Sequence, residues 1–539
     1  MEPYWYKNAV IYGVDVRSFC DSNGDGFGDL PGLTSKLDYL QRLGVTCLWI
    51  LPIYRTPLLD NGYDISDYCS IDPRVGTFDD FLNFLAAAGE RGIGVVLDLV
   101  MNHTSNQHPW FEASRRSSTG DHYRDYYVWT EVPPPTTKEN IFPTEEAGVW
   151  KWDELAKAFY YHRFYHFQPD LNIANVQVRA EIHRVLEFWS SFNVVGFRID
   201  AAPHMIEEKG LPEAKPDDPH GVLREFRQIV NSRRSYAMLL GESDEPVEHL
   251  ADFFGDGDEL NMVFNFYLDN YLMLALASEE AEPIRYALDL LPTIPQPCQW
   301  ANFLRNLDEL DLERLTPEER DVVYKAFAPE EDMRIYDRGI RRRLAPMLAG
   351  DRRRLEMAYS LLFSLPGTPV IVYGDEIGLG GNLALPDRNA VRTAMQWSSE
   401  PQAGFSTADE STIFRPPVGK GNFGYRKLNV AQQEQDEHSL LNWFKQLIKV
   451  RRETPELGWG VCHLLNLDHS SLLVHACEYR SHKIVAAHNL SGKPAEATIT
   501  LAHSRKLIPI FGHAEVEPLE AGRYQVRCGG YGYAWFRLE

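Results

Sequence analysis

The stretch Val194-Val-Gly-Phe-Arg-Ile-Asp200 decides the architecture. It is a β-branched, apolar run that follows a helical pattern over 177–192 and ends abruptly in charged side chains. That is the mark of a buried parallel strand with working residues at its C-terminal end. The alternation recurs outward in both directions. Strands are predicted at 9–16, 46–52, 95–100, 194–199, 238–241, 262–266, 302–306 and 369–373. Between them lie amphipathic helical patterns such as 33–43, 77–91, 222–233 and 352–365. Eight such units predict an α/β chain folded as a (β/α)8 TIM barrel.

The interval between the third and fourth strands exceeds what a crossover helix needs, so an inserted subdomain B is expected at 104–178. Its Pro133-Pro-Pro135 run reads as a surface loop, while Trp150, Trp152, Tyr160 and Tyr161 suit either a pocket wall or packing of the insert. Past a helix at 438–452, alternating runs at 471–479, 482–489, 497–501 and 523–528 predict a C-terminal all-β sandwich domain over 456–539. The barrel then takes 1–103 and 179–455.

Of 539 residues, 44% are hydrophobic and 12% aromatic, enough to bury a large core. Lys and Arg number 54 against 77 Asp and Glu, a net charge of −23 whose field repels phosphate backbones and anionic lipid. Nucleic acid and membrane are therefore not expected as partners. The start lacks the basic-then-apolar pattern of a secretion signal, and a cytoplasmic location is expected. Seven scattered cysteines with no C-x-x-C pair read as reduced thiols rather than a disulfide frame or a zinc site.

Polar residues punctuate the predicted strand ends. Asp64 follows the second strand, Asp98 and His103 bracket the end of the third, Arg198 and Asp200 end the fourth, Glu242 the fifth and Asp308 the seventh. Any one Asp taken alone is ordinarily a helix cap or an ion-pair partner. Three acidic groups gathered on one face repel each other, so Asp200, Glu242 and Asp308 together point to acid/base or nucleophilic work on a neutral, oxygen-rich substrate. Separately, Asp21-Ser-Asn23-Gly-Asp25-Gly-Phe27-Gly-Asp29 places oxygen donors at alternate positions, which suits a hard cation, Ca2+ or Mg2+. An EF-hand needs Glu at the twelfth position, where this chain has Gly32. An Asp/Gly-rich turn without metal is the alternative.

Four segments, Asp98-Leu-Val-Met-Asn-His103, Gly196-Phe-Arg-Ile-Asp-Ala201, Gly241-Glu242 and Asn306-Leu-Asp308, resemble in order the signature regions of the α-amylase family, glycoside hydrolase family 13. Gln168-Pro-Asp-Leu-Asn172 is similar to the fifth region of its oligo-1,6-glucosidase and trehalose synthase branch. Tyr161-His-Arg-Phe164, Gly339-Ile-Arg-Arg-Arg-Leu344 and Val391-Arg-Thr-Ala-Met-Gln-Trp397 carry the resemblance nearly end to end.

The resemblance implies a retaining mechanism on α-glucosides, with working carboxyls roughly 5 Å apart. Asp200 would be the nucleophile, kept ionised by Arg198. Glu242 would be the acid and then the base, with a pKa above that of Asp200. Asp308 would bind sugar hydroxyls and strain the ring. Asp64 and Arg392 would clamp the non-reducing glucose, Tyr63 would stack on its face and His103 would donate to its 6-hydroxyl. By the same resemblance Asp21, Asn23, Asp25, Asp29 and the Phe27 carbonyl would hold a structural Ca2+ or Mg2+, with no catalytic cofactor.

Two departures stand out. The family's Asn-His-Asp is Asn306-Leu307-Asp308 here, which is expected to leave an apolar side chain at the pocket wall and to remove a donor worth about 2–4 kcal/mol in the transition state. Trehalose synthases carry Asn with Gln-Trp-Pro shortly after the acid, where this chain reads Ser243-Asp244-Glu245-Pro246. The expected activity is trehalose synthase-like glucosyl transfer or isomerisation between maltose and trehalose, on small α-linked sugars of that kind or sucrose. The alternatives are a hydrolytic α-glucosidase or transglucosylase with an altered substrate and, of another class, a sugar-binding relative with weakened catalysis.

Overall fold

Eight parallel strands close on themselves: β1 (Ile11–Val14), β2 (Cys47–Ile50), β3 (Gly94–Leu99), β4 (Gly196–Ile199), β5 (Met238–Gly241), β6 (Met262–Phe264), β7 (Gln299–Asn302) and β8 (Thr368–Val372). Each pairs in parallel with the next, and β8 returns to β1 with Val370 opposite Ile11. This computed structural model describes residues 2–135, 140–501 and 506–538. Glycine is required where β4 meets β5, because a Cβ at Gly196 would lie 2.2 Å from the Met238 carbonyl oxygen.

The crossover helices begin on polar caps that satisfy their free amides. Thr77 and Asp80 form a capping box at Phe78–Glu90, and Asn175 and Asp351 cap Val176–Ser190 and Arg352–Ser364. The helix expected over 33–43 is two, Leu30–Ser35 and Leu37–Leu43, broken at Lys36 where φ is −101° and ψ 2°. The seventh strand ends at Asn302, not 306, because Phe303 and Leu304 are buried in the core without joining the ladder. Asp308 therefore sits on the loop beyond the strand rather than at its end.

The insert holds a three-stranded antiparallel sheet of Trp129–Thr130, Ala158–Tyr161 and Trp150–Asp153. Trp150 sets its edge on Tyr161 at 5.2 Å and Trp152 packs on Phe159 at 5.0 Å, so these rings pack the insert. Beyond Gly460 come a five-stranded and a three-stranded antiparallel sheet, with Val474, Val485, Ile499, Val526 and Phe536 buried in a common core. The five-stranded sheet docks on helix Arg352–Ser364. His475 Nε2 lies 2.8 Å from the Ser364 carbonyl, and the Trp535 indole donates to Ser360 Oγ at 3.0 Å.

The cysteine expectation is corrected. Cys462 and Cys477 lie directly opposite on neighbouring antiparallel strands and form a disulfide, a pairing set by strand register that spacing along the chain does not announce. Cys20, Cys47, Cys69, Cys298 and Cys528 are free thiols. Among the described residues, no helix is long and apolar enough to cross a membrane.

Candidate active site

A cavity of about 490 Å³ is lined by residues that follow the C-terminal ends of the barrel strands. At its floor Arg198, 2% exposed, extends one guanidinium to three carboxylates. Nη1 donates to Asp98 Oδ1 and to Asp200 Oδ1, each at 2.7 Å, and Nη2 pairs with Glu242 Oε1 at 2.6 Å. Tyr63 and Trp49 donate to the other Asp98 oxygen at 3.1 and 3.3 Å. Asp98 is thus fully engaged, whereas Asp200 and Glu242 also face the cavity.

Backbone geometry completes this pair. Ala201 is held left-handed at φ 46° and ψ 45°, a conformation that costs a residue with a Cβ roughly 1–3 kcal/mol and clusters at functional sites. It aims the Ala201 amide at Glu242 Oε2, 3.0 Å away, so two donors fix Glu242 beside Asp200.

Electrostatics differ from the expectation at one point. Burial pushes the Asp200 carboxyl well above its ordinary range, Arg198 opposes this, and Glu242 and Asp98 add to it. The resemblance assigns Arg198 to holding Asp200 ionised. Its single charge is divided among three acids and not given to Asp200 alone. Asp308 behaves oppositely. Burial raises it, but Arg392 and Arg388 outweigh that and bring it down to about 2. Arg392 Nη2 donates to Asp308 Oδ1 at 2.5 Å and Arg388 Nη1 to the same oxygen at 2.9 Å.

Three sequence-predicted residues are not where they were expected. Asp64 is fully buried and does not line the cavity. Its carboxylate accepts from Thr56 Oγ1 and from the Leu59 and Asp60 amides at 2.9–3.1 Å, folding the turn that presents Asp60. Arg392 also stays behind the wall, bound to Asp308 and, through Nε at 2.6 Å, to the Leu307 carbonyl. Leu307 is 1% exposed within the apolar core, while its neighbours Asn306 and Asp308 line the cavity, so it opens no gap in the wall.

The residues that close this end are Asp60 and Arg388, paired at 2.5 Å, with Gln168 Nε2 donating to the second Asp60 oxygen at 2.9 Å. Asp60 and Arg388 line the cavity together with Tyr63, as Trp150, Trp152, Tyr160 and Tyr161 do not. The only signal for them was position, each four residues before the like-charged residue singled out instead.

His103 also lines the cavity, and burial lowers its pKa to about 4, which keeps the ring neutral. The Asn102 amide nitrogen lies 3.2 Å from Nδ1 and donates to it, so the ring proton is on Nε2. That Nε2–H is buried and makes no well-aligned hydrogen bond. Asn102 is itself fixed by Asp170, at 3.1 Å, and by the buried Lys209, which pairs with Asp170 at 2.6 Å.

The outer part of the cavity was not foreseen in detail. Asp244 pairs with Arg314 Nε at 2.9 Å and Asp311 with Arg338 Nε at 2.7 Å; Arg338 also donates to the Ile141 carbonyl of the insert at 3.0 Å. Burial pushes the Asp244 carboxyl up to about 8, Arg314 pulling down and Asp311 and Glu313 pushing further up.

The 21–29 loop has the all-oxygen donor set a hard cation needs. Its carboxylates are partly occupied: Asp21 accepts from the Gly24 and Gly26 amides at 2.8 Å, and Asp29 from the Gly32 amide at 2.6 Å and the Ser22 hydroxyl at 2.9 Å. Asn23 and Asp25 are exposed. Among the described residues, Asp244, Asp311 and Glu313 form the one set of three acidic or metal-binding side chains whose ligand atoms lie within 4.8 Å of one another.

With this geometry in view, the α-amylase catalytic domain model matches residues 13–460. The chain belongs to the α-amylase family. It is 42% identical over its whole length to the trehalose synthase of Thermus thermophilus, of which it spans 56%. It is 40% identical to the trehalose synthase/amylase TreS of Mycobacterium tuberculosis (strain ATCC 25618 / H37Rv), spanning 91% of that protein. The trehalulose synthase MutB from Pseudomonas mesoacidophila MX-45 superposes with a TM-score of 0.81 at 25% identity, both chains being covered completely. The α-amylase family member described here is thus trehalose synthase-like along its full length.

Proposed function

We propose that this protein acts on small α-glucosides with retention, passing a terminal glucosyl unit from maltose to give trehalose. The observation that carries the proposal is the shared guanidinium of Arg198, which sets Asp200 and Glu242 side by side in a cavity closed by the Asp60–Arg388–Asp308 ion pairs. A closed end of this size admits one terminal sugar and not the middle of a chain.

In this mechanism Asp200 Oδ attacks the anomeric carbon while Glu242 gives its proton to the departing oxygen, leaving a β-glucosyl ester on Asp200. Glu242, now ionised, takes a proton from the acceptor hydroxyl, which attacks the same carbon and releases Asp200. Asp308, ionised by its two arginines, accepts from sugar hydroxyls and favours the oxocarbenium-like charge. The His103 Nε2–H, which makes no well-aligned bond within the protein, supplies a donor to a hydroxyl of the same sugar.

Maltose with purified protein, followed by NMR, tests the reading. Trehalose with a little glucose is expected; glucose or new oligosaccharides alone would favour the hydrolytic or transglucosylating alternative. Turnover of no α-glucoside would leave the sugar-binding reading. Structural Ca2+ or Mg2+ at the 21–29 loop and a cytoplasmic location belong to the same proposal.

A further inference from the structure

The cavity is graded from one end to the other. Arg198 at the floor is 2% exposed and Glu313 at the mouth 51%, with Asp308, Asp244 and Glu242 between them at 17–25%, so a second sugar enters from the side of Glu313 and meets Asp244 beside Glu242. Asp244 stands two residues beyond Glu242 in the chain and lines the same cavity as Arg314. The pair spans two separate loops, one following β5 and the other following β7, and a second contact, Arg314 Nη2 to the Asp244 carbonyl at 3.4 Å, reinforces it. Asp244 Oδ1 and Arg314 Nε are nevertheless both left without a well-aligned hydrogen bond. The two atoms are buried against each other, so the pair is held by charge and not locked by a hydrogen bond between them.

We propose that Asp244 and Arg314 are the specificity-determining pair for the acceptor sugar, holding its hydroxyls between a carboxyl and a guanidinium so that the released sugar is retained and reattached. This rests on the transferase reading above and adds the residues that set the partition between transfer and hydrolysis. The pair is suited to the task because hydroxyls are at once donors and acceptors, and a carboxyl beside a planar guanidinium satisfies both needs over a short span. A water molecule entering in place of the sugar would satisfy the pair only in part.

The test compares maltose with an aryl α-glucoside, whose leaving group carries no sugar hydroxyls. Asp244→Ala and Arg314→Ala are each expected to lower kcat/KM on maltose about tenfold or more relative to the aryl glucoside, and to move products from trehalose toward glucose. Asp244→Asn, which keeps the shape and an acceptor oxygen, should fall between wild type and Asp244→Ala on both readouts. Equal losses on the two substrates, or an unchanged product ratio, would overturn the proposal even if the variants turn over. Asp200→Ala distinguishes the two levels: if it leaves either substrate turning over, the transferase reading fails and the acceptor assignment with it.

Discussion

The two ends of the cavity are built on opposite principles. At the closed end, Asp60, Asp98, Asp200 and Asp308 are matched to Arg198, Arg388 and Arg392 through short, buried ion pairs, and each carboxylate oxygen in the Asp308 and Asp60 network has a named donor or faces the space for a sugar. At the open end three carboxylates crowd within 4.8 Å and are balanced by Arg314 and Arg338 from the loop side only. The first arrangement fixes one sugar in one pose. The second leaves polar groups incompletely satisfied, which suits a partner that arrives, turns and leaves.

The comparison breaks first at Asp200. Asp200→Asn should lower kcat on maltose by roughly 10³–10⁵-fold without unfolding the chain, since the amide retains the contact with Arg198; a loss below tenfold would remove the nucleophile from the closed end. Arg388→Met strands Asp60 as a buried charge and takes from Asp308 one of its two arginines, and should cost about 3 kcal/mol or more of stability as well as at least 100-fold in kcat/KM, read by urea unfolding and initial rates.

The closed end was legible in outline because its chemistry sits where strands stop. Runs such as Val194 to Ile199 mark a strand by composition alone, and the charged residue that follows must then lie on the loop face of a parallel barrel. Orientation within a loop was not legible. Asp60 and Asp64, like Arg388 and Arg392, are pairs of like residues four apart, and only the left-handed turns at Leu58, Asn61 and Gly62 decide that Asp60 reaches the cavity while Asp64 binds its own loop. Leu307 was misplaced for a related reason: the chain bends at 307–308, where the Asp308 amide donates to Asn306 Oδ1 at 3.0 Å, and Asn306 and Asp308 face the cavity while Leu307 lies in the core. The Cys462–Cys477 disulfide follows from register across 15 residues, which no local pattern encodes.

The two ends should also titrate with opposite slopes. Asp308 ionises at about 2 in the fold against about 4 unfolded, so it contributes stability above pH 4, about 2 kcal/mol, that is lost as the pH falls toward 2. Asp308→Asn should flatten that limb of a stability–pH curve. Asp244, raised to about 8, works the other way: the fold holds its proton more tightly than the unfolded chain, so stability declines as the pH rises from 4 to 8. Asp244→Asn should therefore raise Tm at pH 8 and change it little at pH 5; equal Tm values for both proteins at pH 8 would deny the crowding at the open end. The smallest effect concerns neither end. Chelation should lower Tm by a few degrees if the 21–29 loop holds a cation, as about 1–2 kcal/mol from one bound ion implies for a chain this size, and an unchanged Tm would assign the loop to its own amides.

Transfer with retention requires that Asp200 bond the sugar. Reaction with 5-fluoro-α-glucosyl fluoride, followed by proteolysis and mass spectrometry, reads it directly. A fluoroglucosyl adduct on the peptide carrying Asp200, absent from Asp200→Asn, is the predicted result. An adduct on another carboxylate, with that fluoride still consumed, would contradict the account.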